Sequence, residues 1–71
     1  KREYHISAVP QAIMYALSTD LEYGSARVED NEVEYYQTPS DNFYRFDVIH
    51  NGRDMEIDVT EMGVVTPARK I

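Results

Sequence analysis

The chain contains no cysteine, so neither a disulfide framework nor a cysteine-ligated zinc site is possible, although this absence does not fix a compartment. Nowhere does an apolar run approach the roughly 20 residues that a helix needs to cross a bilayer, and no membrane insertion by this segment is expected. Cations are scarce away from the ends. Residues 3–68 hold only Arg27, Arg45 and Arg53 against all 13 acids, leaving ten negative charges uncompensated. Such a body repels phosphate backbones, which excludes nucleic-acid binding driven by clustered Lys and Arg, and it disfavours anionic membrane surfaces. No internal repeat, low-complexity tract or linker interrupts the chain. It opens at Lys1 without a methionine, which predicts an excised or processed piece of a longer protein, with any signal peptide outside it.

What is present is enough for one small domain spanning residues 1–71. The 71 residues are 42% hydrophobic, ordinary for a globular chain, at a length where a single core suffices with little margin.

The stretch "HNGRDMEIDVTEMG" at residues 50–63 poses the sharpest chemical question, because Asp54, Glu56 and Asp58 alternate and are followed by Glu61. A calcium-binding loop starting at Asp54 would need glycine at its sixth position and a bidentate Glu at its twelfth. Those positions are Val59 and Val65, so no metal site is expected. The hairpin reading explains more residues. Asn51-Gly52 suits a two-residue type I′ turn, which requires positive φ at both positions. It sets Val48 against Met55, Phe46 against Ile57 and Tyr44 against Val59 on one face. On the other it sets Ile49 against Asp54, Asp47 against Glu56, Arg45 against Asp58 and Phe43 against Thr60. The first face predicts a core and the second a solvated surface.

Upstream, Val9, Ala12, Ile13, Ala16, Leu17 and Leu21 recur at helical spacing. They predict a helix over 8–21, with Ser7 as N-cap, Pro10 in the first turn and Gly24 at the C-terminal cap. In "SARVEDNEVEYYQ", Ala26 and Val28 share one parity while Val33 and Tyr35 share the other, so a strand here requires a bulge or bend at Asp30-Asn31. "TPSDN" is turn chemistry, and Glu61-Met62-Gly63 predicts a second turn into a short "VVTP" strand. The predicted fold is α+β: one N-terminal helix packed on a three- to four-stranded antiparallel meander. Ile13, Leu17, Phe46, Val48, Ile57 and Val59 form its expected core.

The helix opening "VPQAI", the strand "EYYQ", the strand "YRFDV", the "NG" turn, the acidic "MEIDVTEMG" and a terminal "VV" together resemble the PepSY domain and its PepSY-like relatives over about residues 7–66. The family's "D-x-x-G" turn is replaced here by "DVTEMG". This resemblance implies a non-catalytic module of a secreted or cell-envelope bacterial protein. Family members occur in propeptides of thermolysin-type metallopeptidases, where they inhibit or assist the enzyme, and in envelope and spore-associated proteins. The implied partner is therefore a peptidase or another envelope protein. The alternative is a structural accessory domain with no ligand of its own.

Nothing in the residues argues independently for catalysis. His5 and His50 have no evident nucleophile and orienting group, and Ser7, Ser18, Ser25 and Ser40 suit cap, helix and turn duties. Asp47 and Glu56 face each other, but a paired-carboxylate mechanism needs a walled pocket. No catalytic, cofactor-binding or metal-binding residue is assigned. The expected protein-contact face is the outer side of the hairpin: Phe43 and Ile49 as apolar anchors, joined by one of Tyr35 or Tyr36, among Asp47, Asp54, Glu56 and Asp58, all against a basic partner surface.

Overall fold

Asn51 and Gly52 take φ of 52° and 76°, the positive values a type I′ turn demands, and they join β4 (Asn42–His50) to β5 (Arg53–Thr60). The register is the one that turn dictates, from His50↔Arg53 through Phe46↔Ile57 to Phe43↔Thr60. The computed structural model, which describes residues 1–69, builds the rest around this hairpin. β1 (Arg2–His5), β2 (Arg27–Val28), β3 (Glu32–Gln37) and β6 (Val65–Pro67) complete one antiparallel sheet. Its order is β1-β3-β4-β5-β6, with β2 also pairing to β4.

This corrects the predicted architecture. Among the described residues the sheet has six strands, not three or four, and a single eight-residue α-helix, α1 (Gln11–Ser18), accompanies it. The unforeseen strand β1 lies antiparallel to β3 from Arg2↔Tyr35 to His5↔Glu32. "REYH" carries no local strand alternation, and its partner is distant in sequence. The order in which such segments pair is a tertiary outcome.

Between β2 and β3 the parity conflict is resolved as its residues required. Six residues separate Val28 from Glu34, while only three separate their partners Val48 and Arg45. The surplus at Glu29–Asn31 is a bulge that turns Val33 and Tyr35 to the same side as Val28. The Asp30 carboxylate accepts the Glu32 N–H at 3.0 Å and holds the bend. Tyr36 is left on the outer face. At the other end, the Thr38 hydroxyl donates to the Asp41 carbonyl at 2.6 Å and closes the β3–β4 turn.

The helix is shorter than predicted at both ends. Ile6–Ala8 form a 3-10 turn, Pro10 occupies the N-cap position without a side-chain bond, and Ser7 is not the cap; its N–H is taken by His5 Nδ1 at 3.1 Å. At the C-terminus the Thr19 hydroxyl captures the Tyr15 carbonyl at 2.7 Å, and the Asp20 carboxylate accepts the N–H groups of Glu22 and Tyr23. Side chains that bond nearby backbone compete with the helical ladder, so the helix stops and Leu21 is wholly exposed. Gly24 is not a left-handed cap. A Cβ there would lie 2.5 Å from the Asp20 carbonyl oxygen, so close approach is what demands glycine.

The core lies between the helix and the inner face of the sheet. Val9, Ile13 and Leu17 pack with Val33, Tyr44, Phe46, Val48, Ile57 and Val59. All six expected core residues are buried. Tyr35 joins them from the inner face, tilted against Tyr44 at 4.7 Å and meeting the edge of Tyr4 at 6.0 Å.

Candidate functional site

Alternation along β4 and β5 places Phe43, Arg45, Asp47 and Ile49 beside Asp54, Glu56, Asp58 and Thr60 on the outer face. The expected contact residues do share that face, but it is divided into two unlike halves.

At the turn-distal end the face is closed. Phe43 and Asp58 are 0% exposed, which corrects their assignment as a surface anchor and a rim acid. Tyr36 stacks on Phe43 at 5.1 Å and 14°. Arg45 donates from Nε to Asp58 Oδ1 at 2.8 Å and from Nη2 to Oδ2 at 3.0 Å, a bidentate pair. Its guanidinium also lies 4.9 Å from the Tyr36 ring centre. The segment after β6 then crosses above. Arg69 stacks its guanidinium 4.3 Å from the Phe43 centroid and donates from Nη1 to both Asp41 oxygens at 3.1 and 3.2 Å. Its N–H donates to Asp58 Oδ2 at 3.0 Å, and its carbonyl accepts from Arg45 Nη2 at 2.6 Å. A buried carboxylate is tolerable only when paired and hydrogen-bonded, and Asp58 is both. Among the described residues no buried side-chain polar atom lacks a partner.

At the turn-proximal end the face is open. Glu29, Asp30, Asp47, Asp54 and Glu56, with Met55, line a cavity of about 510 Å³. Asp54 and Glu56 are exposed, and Asp47 and Ile49 half-buried. Hydrogen bonding with Asp54 raises the exposed Glu29 carboxyl above the usual carboxylate range, with desolvation and the Asp54 charge acting the same way. Burial raises Glu56, and the facing Asp47 charge raises it further, while Arg45 opposes. Like charges directly opposed across an antiparallel pair repel. The cluster can share protons between carboxylates and attract cationic groups. Among the described residues, no group of three or more His, Asp or Glu is disposed to hold a metal ion.

The histidines lie elsewhere. His50 Nε2 is 2.9 Å from the Glu22 carbonyl, with its ring edge-on to Tyr23. His5 ends β1, with Nδ1 2.8 Å from Ser7 Oγ. Of the expected pair Tyr35 or Tyr36, it is Tyr36 that lies on this face; Arg69 and Asp41 on the closed half, and Glu29 and Asp30 on the open half, are site residues that sequence reasoning missed. The hairpin register did place Arg45 opposite Asp58, and what it left out is the burial of that pair. No described helix is long and apolar enough to cross a membrane. In comparisons with known proteins, no family model, curated protein or solved structure matches the chain.

Proposed function

We propose that this domain is a non-catalytic protein-binding module, PepSY-like and belonging to a secreted or cell-envelope protein, that meets a basic partner surface with the open half of its outer face. The observation that carries the binding role is the crowding of Glu29, Asp30, Asp47, Asp54 and Glu56 around one open cavity. Negative charge of that density, left without enough nearby cations, is a steering field for a cationic partner. Met55 supplies apolar contact within the cavity, and the half-buried Ile49 lies on the same outer face opposite Asp54. The family and compartment rest on the resemblance of residues 7–66 alone.

A partner retained by the intact domain should be released by the triple variant Asp47→Asn, Asp54→Asn, Glu56→Gln, with association slowing as salt rises. Equal retention by both forms would remove this reading. If the retained partner is a peptidase, adding the intact domain should slow its turnover. The accessory-domain alternative draws its support from the closed half, where the chain's own tail already satisfies the buried charges.

A further inference from the structure

The groups that hold Arg69 belong to the sheet and to the turn that precedes β4, while Arg69 itself belongs to the segment that follows β6. Phe43 offers a flat aromatic plate, Asp41 accepts two N–H bonds from the guanidinium, and Asp58 stands 3.5 Å from Nε. The main chain of the same residue is read too. Its N–H meets Asp58 and its carbonyl meets Arg45. An aromatic plate with two carboxylates is a built receptor for a planar cation that stacks and forks its hydrogen bonds.

The resident occupant holds the site incompletely. Arg69 and Asp41 keep side-chain exposures of 35% and 33%, against 0% for Asp58. Beside them a cavity of about 430 Å³ opens between Asn42, Thr60, Glu61 and the exposed side chains of Met62 and Val64. It adds an apolar subsite next to the cationic one.

We propose that the closed half of the outer face is an arginine-recognition site for an extended segment of a partner protein, in which Arg69 is a competing occupant from the chain itself. The ligand is an arginine in extended backbone next to an apolar side chain; the arginine fills the Phe43–Asp41–Asp58 site and its neighbour rests on Met62 and Val64. This surface is separate from the acidic cavity, so failure of either proposal leaves the other standing.

The test uses the full chain and its Arg69→Ala variant, with two acetylated probe peptides: Thr-Pro-Ala-Arg-Lys-Ile, and the same sequence with citrulline for arginine. Citrulline keeps the shape and removes the charge. Arg69→Ala should bind the arginyl peptide at least about ten-fold more tightly than it binds the citrulline peptide, and more tightly than the intact chain does, with the resonances of Phe43, Arg45 and Asp41 shifting. Should Arg69→Ala lose its fold, Arg69→Lys keeps a charge for Asp41 and Asp58 without the flat fork and carries the same comparison. Equal binding of the two peptides overturns the proposal, as does equal binding by the intact and substituted chains. Concentration-dependent dimers of the intact chain that Arg69→Ala abolishes would make the occupant a second copy and also overturn it.

Discussion

Glu56 faces Asp47 across the β4–β5 ladder, and both burial and that neighbouring charge favour its protonated form in the folded state. A carboxyl whose folded pKa is raised contributes its stability below the unfolded pKa and loses it as pH rises through the folded one. At neutral pH, then, Glu56 carries the repulsion without the relief of a proton. Glu56→Gln is expected to raise the melting temperature near about pH 7 and to lose most of that advantage near about pH 4, where the wild-type carboxyl takes up its proton. Thermal melts of the two proteins at both pH values check this; an advantage that grows on acidification would show that Asp47 does not act on Glu56. Glu34 works in the opposite sense. Burial opposes its charge, but hydrogen bonds from Lys1 and Tyr36 hold its carboxyl below the usual range. Its contribution is present at neutral pH and fades on acidification.

At the scale of elements, the hairpin is specified by its turn and the helix is not specified by its stripe. Gly52 has φ of 76°, and a Cβ built on it would meet nothing within 4 Å. Gly52→Ala should therefore cost only the left-handed conformational penalty, about 1 kcal/mol, without disturbing the register from His50↔Arg53 to Phe43↔Thr60. Denaturant melts give the cost, and cross-strand nuclear Overhauser contacts between Phe46 and Ile57 report the register. A loss of several kcal/mol would mean that the turn also carries packing. The apolar spacing of α1 correctly marks Ile13 and Leu17 as its buried side, yet the same spacing extended to Leu21 misleads. The Thr19 hydroxyl and the Asp20 carboxylate end the helix through hydrogen bonds that a hydrophobic pattern does not register.

The molecule as a whole is a sheet closed on one side by a short helix and on part of the other by its own C-terminal segment. A domain of this length holds a net stability of about 4–10 kcal/mol. Phe46, fully buried at the centre of the inner face, touches that total directly. Phe46→Ala should cost about 3–5 kcal/mol and leave the domain largely unfolded under mild heating. Far-ultraviolet circular dichroism decides this, and a variant melting within a degree or two of the parent would mean that the core does not depend on this face. Since the same β4–β5 pair carries the core on one side and both candidate binding surfaces on the other, loss of Phe46 should abolish every binding activity together. Substitutions on the outer face should separate them.

Local chemistry wrote the hairpin, its register, the bulge at Glu29–Asn31 and the two inner strand faces, because each rests on turn geometry or on period-two alternation within a few residues. Those features were legible before any fold was known. The strand β1, the burial of Phe43 and Asp58, and the division of the outer face into an open acidic half and a closed half were not. Each depends on residues brought together from distant parts of the chain: Tyr4 with Tyr35, Asp41 and Asp58 with Arg69, Glu29 with Asp54. A carboxylate at an outward strand position is ordinarily solvated. Only the assembled sheet, by laying Arg45 and Arg69 over Asp58 and a stacked aromatic pair beneath them, makes that position an interior one.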